Sequence, residues 1–374
     1  MLKNEPFIFL QAYYLYSLIK VLALREKFDH MSAVSGYDAL YQHFPADFAV
    51  DSVFGNFKKI YPRGIGRLLA TASKFTSTSG FYNAQSFAAE SKLLSRSLKK
   101  QYDIIHYTYG EPYFGLAGIL KKKAKPAIVI TNHQPVSWWQ AHESLFKKYS
   151  NVNKVITLTE YDNAYFSTHI QGKSICIPHG VDTDFYKPLT SAENSLARPF
   201  KIIFTGRYLR DMSTLAKVIK KLSATSPDFH FDVVYLQKKD VHEPYLIEIM
   251  SLPNVIWHSD LTEHELLSLY QQAACCLLPL EDCTANNALL EAMACGLPVV
   301  STDLPAIKTY LDDSMSILGR RGNAEDLCEA LILLYNDEAK TKAMGIGSRN
   351  KAIKYFDWNI IAGQTAALFK TICA

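Results

Sequence analysis

Residues 276 to 300 read Cys-Leu-Leu-Pro-Leu-Glu-Asp-Cys-Thr-Ala-Asn-Asn-Ala-Leu-Leu-Glu-Ala-Met-Ala-Cys-Gly-Leu-Pro-Val-Val. The run Cys276–Leu280 is apolar and of strand length, and it ends at a polar loop. Asn286 or Asn287 can cap a helix, because a short amide oxygen satisfies backbone N–H groups that have no partner in the first turn. Gly296 stands where helices stop in a left-handed residue, and Pro298 prevents resumption. Strand, loop, helix and strand therefore follow one another. The helix N-terminus points outward at the carboxyl end of the first strand, a natural seat for phosphate. Asn287 and Ala288 offer backbone N–H groups there, and Glu291, one turn on, can accept hydrogen bonds from ribose hydroxyls.

The rest of the chain repeats this alternation. Strands are expected at Leu18–Arg25, Phe48–Val53, Asp103–Tyr107, Ala127–Asn132 and Lys154–Leu158. After a linker-like stretch from Phe185 to Pro199 come Lys201–Thr205, Phe231–Tyr235, Val255–Trp257, Cys276–Leu280 and Pro298–Thr302. Helical stretches between short apolar strands predict parallel, doubly wound α/β sheets. At 374 residues the chain exceeds one comfortable core, so two domains are expected. Trp358–Ile372 reads as a last helix after a break at Asp357.

Bulk properties narrow the function. Hydrophobic residues make up 48% and charged residues 20%, as in an ordinary globular protein. Seven cysteines, an odd number without paired metal spacing, fit a reducing, cytoplasmic setting better than a secreted one. Residues 1–190 carry 22 Lys and Arg against 14 Asp and Glu, a net +8, while residues 191–374 carry a net −4. The cluster Lys121, Lys122, Lys123 and Lys125, preceded by Lys99 and Lys100, is either a solvated helix end or a surface for an anionic membrane or acceptor. Phe7–Ile19 is apolar but interrupted by Gln11 and closed by Lys20. It falls short of the roughly 20 residues needed to span a bilayer, and no small-residue cleavage site follows, so a buried or interfacial helix is expected. Basic residues are not interleaved with an aromatic reading surface, which argues against nucleic acid as a partner.

Several motifs, in order, resemble glycosyltransferase family 4, the retaining sugar transferases of GT-B fold. Asp103-Ile-Ile-His and Ile128-Val-Ile-Thr-Asn-His resemble two of its strand ends. Ile177-Pro-His-Gly-Val-Asp-Thr-Asp-Phe-Tyr-Lys-Pro resembles its interdomain element, Phe204-Thr-Gly-Arg opens the second domain as the family does, and Phe356-Asp-Trp closes it. The stretch 276–300 resembles its donor-binding signature. The likeness runs from about residue 100 onward and is weaker over the first 60 residues. It implies an acceptor-side domain over 1–190, a nucleotide-sugar domain over 200–356, and a helix over 357–374 that crosses back to the first domain.

The resemblance also implies site residues. Arg207, after a strand and a glycine, matches the arginine that clamps the diphosphate; a surface ion pair with Asp211 is the alternative. His133 matches the histidine that contacts the donor sugar, against a core or capping role. His106 is a weaker match that would line the acceptor pocket. Ser35-Gly36-Tyr37 follows the first strand, where Gly36 would let backbone approach phosphate or acceptor closely, or would simply make a turn.

Two positions depart from the pattern. The family's lysine falls on Met212, five residues after Arg207, leaving Arg210 as the nearest substitute cation. The first of its two glutamates falls on Cys283, eight residues before Glu291, leaving Asp282, then Glu281, as substitutes at the donor sugar. Asp182-Thr183-Asp184 has the Asp-x-Asp form of a manganese site, but its place in the interdomain element makes a structural role the expectation, with no essential metal and no cofactor beyond the donor. The implied activity is retaining transfer from a nucleotide-diphosphate sugar to a glycan or lipid-linked acceptor at the cytoplasmic membrane face. A non-catalytic nucleotide-sugar-binding homologue, an epimerase and a phosphorylase of the same shape are the alternatives.

Overall fold

The computed structural model describes residues 18–26, 34–55, 71–74, 81–117, 126–189 and 199–374. The apolar segment Phe7–Ile19, apart from its last two residues, the cluster Lys121–Lys125 and much of the linker before Pro199 lie outside them. Among the described residues no helix is long and apolar enough to cross a membrane.

Six parallel strands form each of two sheets. The first holds β1 (Ile19–Arg25), β2 (Phe48–Phe54), β3 (Ile104–Tyr107), β4 (Ala127–Thr131), β5 (Lys154–Thr157) and β6 (Ser174–Cys176), in the order β2-β1-β3-β4-β5-β6. The second holds β7 (Phe200–Thr205), β8 (Phe229–Val234), β9 (Val255–His258), β10 (Cys275–Leu278), β11 (Val299–Thr302) and β12 (Ser316–Gly319), in the order β12-β11-β10-β7-β8-β9. The strand order reverses between β1 and β3 in one sheet and between β7 and β10 in the other. Open parallel sheets bind ligands at the carboxyl ends of the strands flanking such a reversal.

The sequence expectations for the strands hold within two residues at each end, and two short strands, β6 and β12, were not expected. Both lie at sheet edges; β6 is nowhere fully buried and β12 is buried only at its two ends, so neither is the continuous buried apolar run that marks the central strands. β10 stops at Leu278 rather than Leu280 because Pro279 has no N–H to continue the ladder. Leu280 turns instead into an antiparallel bridge with Arg210.

The described helices include α1 (Ala84–Lys99), against the first sheet, and α2 (Glu160–His169), α3 (Met212–Thr225) and α4 (Asn287–Ala294), which begin at the candidate site. A last one, α5 (Trp358–Cys373), follows the second sheet in the chain but packs into the first core, with Trp358, Ile361, Ala362, Ala366 and Phe369 fully or almost fully buried there. Its entry is fixed at several points. Asp357 caps the helix and accepts a hydrogen bond from Thr183 Oγ1 at 2.6 Å, and Trp358 Nε1 donates to Val34 O at 3.0 Å. Gly180 lies against the Trp358 indole so closely that a Cβ there would sit 2.5 Å from the ring.

Candidate active site

The loops after β7 and β10, flanking the reversal of the second sheet, are bound to each other. Glu281 N–H donates to Leu209 O and Asp211 N–H to Pro279 O, both at 3.0 Å. Gly206 and Leu209 take positive φ, +99° and +58°, which turns the β7 loop sharply toward α4. Arg207 is exposed at its tip, and its side chain has no hydrogen bond or ion pair with any described residue. Asp211, the alternative partner, is occupied in capping α3, where it accepts from Thr214 N–H and Thr214 Oγ1.

Arg210 has a different position from the one its sequence suggested. Its guanidinium turns inward and donates to Thr205 O (3.1 Å), Tyr208 O (3.1 Å) and Asn286 Oδ1 (2.9 Å). Burial lowers its pKa. It braces the loop that displays Arg207 and leaves little of its fork for a ligand. Met212, at the position of the family lysine, is partly buried against the second core.

α4 begins as expected. Asn286 is the N-cap, and its Oδ1 accepts from Leu289 N–H and from Arg210. Those two donors fix the orientation of the amide, so its NH2 group faces the other way. Asn286 is 6% exposed, and Nδ2 has no hydrogen-bond partner among the described residues. A buried donor without an acceptor costs about 1–3 kcal/mol. The amides of Asn287 and Ala288 occupy the first turn, where a helix provides no acceptor.

Glu291 lies deeper than a surface carboxylate would. One oxygen accepts from Ser35 Oγ at 2.5 Å, across the cleft, and the other from Tyr270 Oη at 2.9 Å. Burial raises its pKa, and the Ser35 and Tyr270 hydroxyls partly offset the rise. A ribose would have to displace Ser35 to reach this carboxylate. Cys283 is buried, Glu281 is exposed, and Asp282 accepts from Ser137 Oγ across the cleft at 2.5 Å.

The opposite wall comes from the ends of β1, β3 and β4. His133 stacks on Tyr109 (centroids 4.1 Å apart) and meets the edge of Tyr37 at 4.8 Å. Its Nε2 lies 2.8 Å from Thr108 O, so the proton sits on Nε2 and Nδ1 is an acceptor. Burial and the neighbouring His179 push its pKa down to about 3, which keeps the ring neutral. Gln134, next in the chain, accepts from Tyr208 Oη at 2.5 Å, tying His133 to the loop of Arg207. Gly36 is buried at the start of the 3-10 turn Tyr37–His43 with φ −69°, a conformation open to any residue, so its place does not rest on glycine's freedom. His106 is a core residue and not a pocket lining, enclosed by Tyr41, Thr131 and Phe369. Asp182 accepts from the N–H groups of Asp184 and Phe185, a local turn within the interdomain element.

Two carboxyl groups that sequence reasoning passed over face this cleft. Glu111, after β3, accepts from the amides of His133 and Gln134. Asp162, in the first turn of α2, accepts from Thr159 Oγ1 and, across the cleft, from Thr284 Oγ1 at 2.8 Å. Thr159 three residues before Asp162 was a readable cap; nothing local marked Glu111.

Burial raises the Asp162 pKa to about 6, with the Asp282 charge adding to the rise. A folded-state pKa above the unfolded value near 3.9 means that its contribution to stability is full below pH 3.9 and is lost as pH rises through 6. Asp162→Asn keeps an oxygen for both hydroxyls and carries no charge. Its gain over wild type in thermal unfolding is expected to be small at pH 4 and on the order of 1–3 kcal/mol at pH 8. Equal gains at the two pH values would contradict this.

Comparison with known proteins agrees with the geometry. Residues 60–185 match the family model Glycosyltransferase Family 4, and residues 199–337 match Glycosyl transferases group 1. The chain is 27% identical over 206 residues to a D-inositol 3-phosphate glycosyltransferase of Paenarthrobacter aurescens, covering 52% of this chain and 50% of that protein. The chain spans about half or less of the length of this relative and of two others like it. Among solved structures, a sucrose-phosphate synthase from Thermosynechococcus elongatus superposes with TM-score 0.66 at 18% identity, over 94% of this chain and 88% of that one. The Anabaena protein HepE, in complex with UDP and glucose, superposes with TM-score 0.64 at 14% identity, over 94% and 100%. These likenesses establish the GT-B fold.

Proposed function

The chain belongs to the family 4, group 1 glycosyltransferases, and from that premise we propose that it moves a sugar, with retention, from a nucleotide-diphosphate donor to a hydroxyl acceptor. The observation that carries this reading is the set of donors at the strand reversal. Arg207 is unpaired among the described residues, and the buried Asn286 amide lacks an acceptor beside the first-turn N–H groups of Asn287 and Ala288. Together they suit a diphosphate, whose negative charge grows as the sugar leaves.

In the proposed step the bond between the anomeric carbon and the phosphate oxygen breaks, and the acceptor oxygen bonds to that carbon on the same face. The acceptor proton passes to the departing phosphate, which acts as the base. Arg207 and the α4 N-terminus hold the charge, so no metal is assigned a role, and transfer is expected to persist in EDTA. The neutral His133 offers Nδ1 to a sugar hydroxyl. Asp282 and the Ser137 hydroxyl stand where donor choice would be made. The bonds Ser35–Glu291, Ser137–Asp282, Gln134–Tyr208 and Asp162–Thr284 join the walls and would limit water at the reacting carbon. For the acceptor we propose a glycan or a lipid-linked polyol, in line with the inositol chemistry in the names of the relatives. The net charge of +8 over residues 1–190 would favour an anionic membrane surface on the cytoplasmic side.

A second reading, a binder without turnover, is favoured by the apolar Met212 and the buried Cys283, each where the family carries a charge. A thermal-shift screen against UDP, GDP and ADP sugars separates the readings when followed by an assay for released nucleotide. A ligand at 100 times its Kd adds about 2.7 kcal/mol to stability. A shift with release in the presence of an acceptor supports transfer; a shift without release by any acceptor supports the binder; no shift contradicts both.

A further inference from the structure

His133 and Gln134 are among the residues through which the first domain meets the proposed donor site, and both are held by one side chain. Glu111, 3% exposed, lies in a single helical turn, Gly110–Tyr113, directly after β3. Its Oε1 accepts from His133 N–H at 2.6 Å and from Gln134 N–H at 2.8 Å. The same short segment grips the end of β4 in three other ways. Thr108 O takes the His133 ring, and Tyr109 stacks on it. Gly110 approaches so closely that a Cβ would sit 2.5 Å from Asn132 Oδ1 and 2.3 Å from Ile130 Cγ2. The imidazole is therefore fixed at its backbone, its Nε2 and its face, while Gln134 is left with its side chain directed to Tyr208, beside Arg207.

We infer that Glu111 is the positioning residue of this cleft: its carboxylate sets the backbone of His133 and Gln134, so that one faces the donor sugar and the other docks the loop that carries Arg207. The inference rests on the functional reading above for what His133 and Arg207 do. It adds that their mutual placement depends on the reach of one buried carboxylate and not on its charge. Glu111 touches no reacting atom in this scheme. Two backbone N–H groups aimed at one oxygen are a geometric clamp, and either a carboxylate or an amide oxygen of the same length can serve it.

Reach and charge can be separated. Burial raises the Glu111 pKa to about 7; Glu111→Gln keeps the oxygen in place and removes the ionisable group, whereas Glu111→Asp keeps a carboxyl group and is one methylene too short to serve both amides. Hydrogen exchange at the His133 and Gln134 amides should be at least tenfold faster in Glu111→Asp and within threefold of wild type in Glu111→Gln. With the donor found in the nucleotide-sugar screen, Glu111→Asp should lower kcat by about 10- to 100-fold, as misplacement near 1 Å does, with donor KM within about threefold. Glu111→Gln should keep kcat within about threefold under the same assay. Gln134→Ala, which leaves the clamp intact, should raise donor KM about tenfold by freeing the Tyr208 loop. A fall in Glu111→Gln equal to that in Glu111→Asp would overturn the inference, because an oxygen at the same reach would then not be enough to hold the two amides. So would wild-type exchange and turnover in Glu111→Asp, or a wild-type KM in Gln134→Ala. Wild-type turnover in His133→Ala would overturn the role given to His133 itself, and the exchange result would still judge the clamp.

Discussion

Arg207→Ala should lower sugar transfer by about 10²- to 10³-fold, the loss seen when one fixed donor to a developing oxyanion is removed. Its stability should be unchanged within about 0.5 kcal/mol, as for surface substitutions away from caps and networks. The side chain is exposed and bonds no described residue, so nothing in the fold relies on it. Its neighbour gives the control. Arg210→Ala would leave Thr205 O, Tyr208 O and the Asn286 cap without their shared donor. That variant should lose stability as well as activity. Steady-state kinetics and urea unfolding on the two variants separate a ligand-binding cation from a structural one. Equal behaviour would mean that the two arginines have been assigned wrongly.

Trp358→Ala should cost about 3–5 kcal/mol, the range for truncating a fully buried large aromatic. That is a large part of the 5–15 kcal/mol that typical domains have in total. The indole is fully buried, donates to Val34 O, and packs against Gly180, His179 and Tyr37. It belongs to the first core although it follows the second sheet in sequence. The loss should therefore fall on the first sheet, and unfolding should split into two transitions, since domains that lose their coupling cease to unfold as one. Denaturant unfolding followed at separate probes in the two sheets tests this. A single transition displaced by less than 1 kcal/mol would contradict it.

The fold was largely legible because parallel strands covered on both faces are continuous apolar runs. Cys275–Leu278 and Val299–Thr302 are wholly buried and needed no partner to be recognised. The cap at Asn286 and the stop at Gly296, with φ +75°, were equally local. The site was less legible where it depended on contacts between distant segments. Arg210 read as a free cation because sequence does not show that Asn286, 76 residues away, would receive it. Glu291 read as open to ribose because its neighbour Ser35 lies 256 residues away. Glu111 was missed for the same reason: a carboxylate that binds two backbone amides leaves no spacing in the chain. Gly36 was over-read, since a glycine after a strand suggests special backbone and this one has none.

The central claim is that a diphosphate sits between Arg207 and the N-terminus of α4. Calorimetric titration of the wild type and of Arg207→Ala with UDP and UMP, and with GDP and GMP, tests it most directly. For one base, the wild type should bind the diphosphate at least tenfold more tightly than the monophosphate, and Arg207→Ala should erase most of that difference. Equal affinity for diphosphate and monophosphate, or a preference that survives the loss of Arg207, would contradict the account.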